Sequence, residues 1–182
     1  MSVASAATKK KTIFQGEYFV SKNPDLMIST ILGSCVAACL FDPTAKVGGM
    51  NHFLLPGDKS NRSCQKDNPL GVHLMELLIN GLLKDGADRG RLQAKLFGGG
   101  RTMKGLADIG SQNAEFATQF LRREGIELLP GSLGGTSGRR VEFWPTTGRA
   151  RQSFMAPTDP EFKKIETPKP VLPAMGGDVE LF

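Results

Sequence analysis

Short apolar stretches bounded by turn-forming residues recur along the middle of the chain and predict a series of β-strands. The stretches are rich in valine, isoleucine, leucine and phenylalanine, and glycine, proline, aspartate or asparagine separates them. We place strands at residues 14–20, 26–32, 35–41, 49–54, 92–97, 126–129, 139–144 and 149–154.

Two other segments have apolar residues at helical spacing. In the first, apolar residues at 70, 74, 77, 78 and 82 follow Asn68-Pro69 and precede Gly86, which predicts a helix from residue 69 onwards. The second segment covers residues 112–124 and ends at Gly125. Two helices cannot cover eight strands. The pattern therefore predicts an α+β fold, a layered sandwich of mixed and antiparallel β-sheets with the two helices packed on one face.

The two ends of the chain differ in composition from its middle. Residues 1–12 are small and polar with three consecutive lysines, and residues 156–182 contain five prolines among scattered charges. Such segments bury too little apolar surface to offset the entropy lost on ordering, so both are predicted to be mobile tails. The compact domain is therefore expected to span residues 13–155.

One predicted hairpin brings together two residues with reactive side chains. Cys35 begins an apolar strand, the chain breaks at residues 42–46, and His52, one of only two histidines, lies on the next strand. A turn centred between residues 43 and 44 sets Cys35 opposite His52 on one face of the hairpin, with Cβ atoms about 5 Å apart. A longer loop, or a bulge at the glycines 48 and 49, would shift this register by a residue or two.

A thiol beside an imidazole can lose its proton at neutral pH, and the thiolate is the nucleophile of cysteine hydrolases. Cys35 and His52 are therefore a candidate nucleophile and base. A cysteine in an apolar strand is also a common small core residue, and residue chemistry alone leaves that alternative open. Cys39 and Cys64 are interpreted as a core thiol and a loop thiol, and His73 as a histidine on a helix face without a chemical role.

The same residue types raise the alternative of a zinc site, which their spacing opposes. Cys35 and Cys39 on one strand stand roughly 13 Å apart, whereas two sulfurs on one tetrahedral zinc lie near 4 Å, given Zn–S bonds of about 2.3 Å. The chain contains neither Cys-x-x-Cys nor His-Glu-x-x-His. We therefore expect no bound metal.

The three glycines at residues 98–100 follow a predicted strand and match neither common nucleotide-binding pattern. A nucleotide site is therefore not expected. Glycines allow close backbone approach, so these residues either form a tight turn or lie against a substrate segment or the hairpin that holds Cys35.

Composition narrows the class of protein. The net charge is +5 and the pI is near 9.2, yet one Tyr and one Trp offer little stacking for nucleic acid, so no nucleic-acid partner is expected. Three cysteines do not form a disulfide framework, and no leader or long apolar run is present. We expect a soluble cytoplasmic enzyme without membrane insertion.

Several motifs, taken in order, resemble one family. They are Leu-Gly-Ser-Cys-Val-Ala at 32–37, Phe-Asp-Pro at 41–43, Gly-Gly-Met-Asn-His-Phe-Leu-Leu-Pro at 48–56, Ala-Lys-Leu-Phe-Gly-Gly-Gly at 94–100, Ile-Gly-Ser-Gln-Asn at 109–113 and Gly-Arg-Arg-Val-Glu-Phe at 138–143. This set, which covers about residues 13–150, is similar to the signature of the CheD family of chemoreceptor glutamine deamidases.

The resemblance implies a catalytic cysteine and histidine at Cys35 and His52. It implies a third catalytic hydroxyl six positions before the cysteine, which is Ser29 here, where the family usually has threonine; Thr30 is the alternative. On a continuous strand Ser29 would lie roughly 20 Å from Cys35, so the chain is expected to bend at Gly33. The hydroxyl would orient the imidazole.

The resemblance also implies an activity and partners. The expected enzyme is a protein-glutamine glutaminase that needs no cofactor and hydrolyses glutamine side chains on the cytoplasmic helices of methyl-accepting chemoreceptors to glutamate, through a Cys35 thioester. A CheC-type phosphatase is an expected further partner. The alternative is a non-catalytic chemotaxis adaptor that binds receptors or such a phosphatase through the same surface.

Overall fold

Ten strands and three helices make up the part of the chain that the computed structural model describes, which is residues 8–55, 69–102 and 108–166. The strands are β1 (Lys9–Thr12), β2 (Tyr18–Ser21), β3 (Leu26–Leu32), β4 (Val36–Asp42), β5 (Val47–Asn51), β6 (Gln93–Gly98), β7 (Glu127–Leu128), β8 (Ser132–Leu133), β9 (Gly138–Trp144) and β10 (Arg149–Met155). The helices are α1 (Pro69–Lys84), α2 (Ile109–Arg123) and α3 (Pro160–Glu166).

The strands form two sheets that stack against each other. The smaller sheet has the order β1-β3-β9-β10, and only β1 and β3 run parallel within it. The larger sheet has the order β2-β5-β4-β6-β7, and β7 and β8 both pair with β6 in parallel. Helices α1 and α2 cover the outer face of the larger sheet. This arrangement confirms the predicted α+β sandwich.

Strand β4 lies at the centre of this stack and is buried on both faces. Val36, Ala38 and Leu40 pack towards α1 and α2. The alternate residues, Ala37 and Cys39 among them, pack towards the smaller sheet. Because successive side chains of a strand point to opposite faces, a strand covered on both sides must be apolar throughout. Cys35 belongs to the cluster between the sheets, so the sheet interface is where the candidate nucleophile lies.

The helix ends follow the sequence signals with one shift. Helix α1 begins at the predicted proline, and Gly86 follows its end with a positive φ of 99°. Helix α2 begins at Ile109 rather than at residue 112, because the Asp108 carboxylate accepts a hydrogen bond from the backbone N–H of Ser111 at 3.2 Å. None of the helices in the described part of the chain has the length and apolar composition that crossing a bilayer needs.

Regular structure continues past residues 13 and 155, the predicted limits of the compact domain, and the division into one domain with two mobile tails stays a prediction. The lysine-rich segment forms β1, because its backbone pairs with β3 whatever its side chains are. Helix α3 packs back on the domain through Phe162, which is 3% exposed. Residues 1–7 and 167–182 lie outside the described residues, and their mobility stays a prediction.

Phe162 fits where two glycines leave space for its ring. A Cβ atom added to Gly138 would lie 2.1 Å from the ring, and one added to Gly33 would lie 3.5 Å from it. Gly33 is two residues before Cys35 in the chain. Helix α3 therefore supports the segment that carries the candidate nucleophile.

We predict that Phe162→Ala lowers the free energy of unfolding by about 3 kcal/mol, because the substitution leaves a cavity under α3. Urea denaturation monitored by circular dichroism measures this change. Phe14 is 57% exposed, and Phe14→Ala is the matched control, with an expected change below about 0.5 kcal/mol. Equal losses from the two substitutions would contradict the supporting role of α3.

Candidate active site

The β4–β5 hairpin positions the candidate nucleophile and base on one face. The connection spans residues 43–46, and the pairs Asp42 with Val47 and Cys39 with Met50 set its register. The predicted centre of the turn, between residues 43 and 44, was therefore wrong, and the register differs by two residues, which is the shift expected from a longer loop. A shift of two keeps every side chain on its predicted face, because the period of a strand is two.

The carboxylate of Asp42 explains the longer turn. One of its oxygens accepts the backbone N–H groups of Thr44 and Ala45 at 2.9 and 3.0 Å, and Lys46 then adopts a positive φ of 52°. The other oxygen accepts a hydrogen bond from Arg91 at 2.9 Å. These contacts, the Arg91 ion pair foremost, hold the pKa of Asp42 well below its usual range although burial opposes them.

The segment before β4 places Cys35 against a glycine backbone. The carbonyl of Cys35 accepts the N–H of Gly99 at 2.8 Å, and the carbonyl of Gly33 accepts the N–H of Gly100 at 2.9 Å. A Cβ atom on Gly98, whose φ is 103°, would lie 2.2 Å from the Cys35 carbonyl oxygen. Of the alternatives left open for the glycines at 98–100, the structure shows the one in which they lie against the segment that holds Cys35.

His52 follows β5 and is 2% exposed. Its Nδ1 lies 2.8 Å from the hydroxyl oxygen of Thr30, which stands on β3 of the other sheet. The single hydroxyl hydrogen of Thr30 goes to the carbonyl of Ile13 at 2.8 Å. The hydroxyl oxygen must therefore accept from Nδ1–H, so the neutral imidazole carries its lone pair on Nε2.

Of the two hydroxyls considered from the sequence, the structure brings Thr30 to His52. Residues 28, 30 and 32 of β3 share the face towards the larger sheet, where Ile28 and Leu32 pack with Cys35. Ser29 is also buried, at 1% exposed, but it stands on the opposite face of the same strand. The residue six positions before Cys35 is therefore Ser29, whereas the residue in contact with His52 is its neighbour Thr30.

Burial leaves both Cys35 and His52 neutral. It raises the pKa of the Cys35 thiol to about 12, although the backbone N–H of the same residue opposes the shift. It also lowers the pKa of His52 to about 4. The expectation that the imidazole lowers the pKa of the thiol is not met in this resting site, because the loss of hydration disfavours both charged forms.

The thiol and the free imidazole nitrogen are not hydrogen-bonded to each other. The Cys35 Sγ donates to Oε1 of Gln15 at 3.8 Å. Nε2 of His52 is buried and has no hydrogen-bond partner among the described residues. A buried nitrogen whose lone pair has no hydrogen-bond donor costs free energy. This nitrogen is available to accept a proton.

A further buried residue, Asn113 on α2, was not singled out by sequence reasoning. Its Nδ2 donates to the Ser34 carbonyl at 2.9 Å, and its Oδ1 accepts from the Leu55 N–H at 2.9 Å. It joins the residue before Cys35 to the segment that follows His52. The feature of the sequence that could have revealed Asn113 is an asparagine on the inward face of an amphipathic helix.

Cys39 and His73 take no part in this site. Cys39 is fully buried in the core between the sheets, as predicted, and His73 is exposed on α1. Cys64 lies outside the described residues. Across residues 8–55, 69–102 and 108–166, no group of three or more His, Cys, Asp or Glu side chains is arranged to hold a metal ion.

Comparison with known proteins identifies relatives over the whole length. Residues 54–153 match the family described as CheD chemotactic sensory transduction. A protein from Agrobacterium fabrum named probable chemoreceptor glutamine deamidase CheD is 52% identical over 183 aligned positions, which cover 97% of this chain and 98% of that protein. A protein of the same name from Rhizobium meliloti is 58% identical over 148 positions, 81% of each chain.

Among solved structures, the Bacillus licheniformis hypothetical protein YfiH matches 63% of this chain and 49% of its own, with a TM-score of 0.40 and 13% identity. The family match begins after Cys35 and His52, whereas the match to the Agrobacterium fabrum protein covers nearly the full length. More than half of the residues are identical to those of that relative. The chain therefore belongs to the CheD family.

Proposed function

We propose that the protein is a chemoreceptor glutamine deamidase in which Cys35 is the nucleophile, His52 the base and Thr30 the residue that orients His52. The relatives' names support the activity. The observation that carries the assignment of residues is the imidazole itself, whose Nδ1–H is held by Thr30 and whose Nε2 is unpartnered. Its neutral state is the one that accepts a proton.

The first half of the reaction forms a thioester. As Sγ of Cys35 bonds to the substrate's carboxamide carbon, Nε2 of His52 takes the thiol proton and the carbonyl π electrons move to oxygen. When the carbonyl re-forms, the carbon–nitrogen bond breaks and the imidazolium gives its proton to the leaving ammonia. Water, deprotonated by His52, then attacks the thioester, and glutamate and the free thiol are released.

A neutral resting pair fits this order of events. A thiol with a raised pKa does not dissociate before substrate arrives, so attack and proton transfer to His52 are coupled. Thr30 contributes by fixing the tautomer, because a flipped imidazole would present a protonated nitrogen to the thiol. In other sites that combine a nucleophile, a base and an orienting residue, the orienting residue likewise holds the imidazole in one tautomer.

The substrates we propose are glutamine side chains on the cytoplasmic helices of chemoreceptors, and a CheC-type phosphatase stays a predicted partner. Mass spectrometry of a receptor cytoplasmic fragment, before and after incubation with the protein, tests the function through the roughly one-dalton gain of glutamine to glutamate. A receptor fragment that binds without any gain in mass would favour the adaptor alternative.

Cys35→Ala is predicted to abolish deamidation of the receptor fragment, because the proposed thioester forms on the sulfur of Cys35. The matched control is Cys39→Ala, since Cys39 is also buried between the sheets but is proposed to have no chemical role. It should retain turnover. Activity in Cys35→Ala, measured by the same mass gain, would reject the nucleophile.

His52→Ala is predicted to lower kcat by about 10²- to 10⁴-fold, because the thiol loses its proton acceptor, whereas His73→Ala should leave kcat unchanged.

In the unsubstituted protein, the acid limb of kcat/KM against pH reports ionisation of His52. Since its pKa is lowered to about 4, activity should persist down to roughly pH 5 and fall below it as Nε2 is protonated. An acid limb centred near pH 6.5 would contradict the buried, neutral imidazole.

Thr30→Val keeps the size of the side chain and removes its oxygen, and we predict a fall in kcat of about 10²-fold from misorientation of the imidazole. KM should change little, because the contact does not involve substrate. Ser29→Ala is the control on the opposite face and should be much milder, while Thr30→Ser should retain most activity. A larger loss of turnover in Ser29→Ala than in Thr30→Val would assign the role to Ser29.

A further inference from the structure

The side-chain carboxamide of Gln15 lies against the thiol of Cys35. Its Oε1 is 3.8 Å from Sγ. Gln15 is exposed, whereas Cys35 is only 6% exposed. Among the described residues, Gln15 supplies the one side chain with a polar contact to this sulfur. It therefore lies between solvent and the nucleophile, where a substrate must arrive.

The loop that carries Gln15 is fixed to the catalytic residues. The N–H of Gly16 donates to the His52 carbonyl at 2.8 Å, and the N–H of His52 donates to the Glu17 carbonyl at 3.0 Å. On the other side of Gln15, the Ile13 carbonyl accepts the Thr30 hydroxyl. Hydrogen bonds to both backbone groups of His52 thus hold the position of Gln15 relative to the base.

We propose that Gln15 is a further catalytic residue, whose carboxamide N–H stabilises the negative charge that develops on the sulfur of Cys35 and then on the oxygen of the attacked amide. This inference rests on the deamidase function proposed above. The proposal adds a side-chain hydrogen-bond donor to the reaction. This donor comes from the loop between β1 and β2, not from the β4–β5 hairpin.

The contact seen at rest suits a neutral thiol, because Oε1 can only accept and S–H donates to it. Once the proton has moved to His52, the sulfur and the new oxyanion are acceptors. The last side-chain torsion of Gln15 has a broad, nearly two-fold distribution. Rotation about this torsion then brings the NH₂ group to the position that Oε1 held. A hydrogen bond from N–H to an anion is about twice as strong as one between neutral groups.

The distance suits this task. A donor to an oxyanion stands about 3 Å from that oxygen, which is bonded to the carbon that the sulfur attacks, so the donor lies roughly 4–5 Å from the sulfur. A carboxamide with one terminal atom 3.8 Å from Sγ is within that reach. The backbone N–H of Cys35, which opposes the rise in the pKa of its own thiol, is the second donor that we propose.

Gln15→Met removes the donor with little change in size, and Gln15→Glu replaces it with a carboxylate that repels the developing charge. We expect Gln15→Met to lower kcat by about 10²-fold with KM within about threefold, and Gln15→Glu to lower kcat further. The control is Gln93→Met, because Gln93 starts β6 and lies five residues, about 17 Å, from Gly98 beside Cys35. Melting temperatures verify that all three variants fold.

A second measurement uses the free protein without receptor, namely the pH profile of Cys35 alkylation by iodoacetamide. Because the N–H contact to a thiolate outweighs the weak S–H contact to Oε1, Gln15→Met should raise the apparent pKa of alkylation. An unchanged or lower apparent pKa, or a loss confined to KM, would overturn the proposal. If the unsubstituted protein does not deamidate receptor, the proposed function fails, and the alkylation profile still decides whether Gln15 stabilises the thiolate.

Discussion

The hydrogen bond between His52 and Thr30 is the interaction on which the site depends. It joins the larger sheet to the smaller one, since His52 follows β5 and Thr30 belongs to β3. A buried hydrogen bond of this kind contributes only about 1 kcal/mol to stability. Its chemical effect is larger, because the hydroxyl hydrogen is committed to Ile13 and the imidazole therefore has one possible tautomer. Sheet packing and the proposed proton transfer are linked through the side chain of Thr30.

Desolvation is the second constraint, and it decides the charge state of the site. Cys35 and His52 are buried at the edge of the core between the sheets, and both are neutral there. A preformed thiolate–imidazolium pair would need hydration or donors that the closed site lacks at rest. The energy that stabilises the charged form is therefore expected to arrive with the substrate, when the carboxamide N–H that we propose for Gln15 becomes engaged.

The position of Cys35, the proposed nucleophile, depends on close backbone approach. Gly98 and Gly99 bring β6 within hydrogen-bonding distance of the Cys35 carbonyl, and any side chain at Gly98 would collide with that oxygen. Asn113 fixes the neighbouring carbonyl of Ser34, and Phe162 packs under Gly33. Four elements distant in the chain, β4, β6, α2 and α3, thus meet at one short segment, which holds Cys35 with the rigidity that its proposed role needs.

Much of the architecture could be predicted from local patterns. The continuous apolar run of β4 predicted a strand that is covered on both faces, and the leucine spacing of α1 predicted a helix packed on one of those faces. The two kinds of element could be told apart because a strand buried on both faces and an amphipathic helix have distinct periods. The pairing of Cys35 and His52 on one face was also predictable, since the period of two tolerates a register error of two residues. The ends were not, because Phe162 is the one buried side chain among residues 156–164 and all four side chains of β1 are exposed.

By itself the sequence determined the layered α+β class and the face shared by Cys35 and His52, because both follow from periodicity within short segments. Only the tertiary structure decided which hydroxyl meets the imidazole, since adjacent residues on β3 point to opposite faces and the spacing from Cys35 does not state which face meets the other sheet. It also decided the charge state of the pair and the contact with Gln15. Burial and the approach of a distant loop depend on the whole packed chain, and no local pattern encodes them.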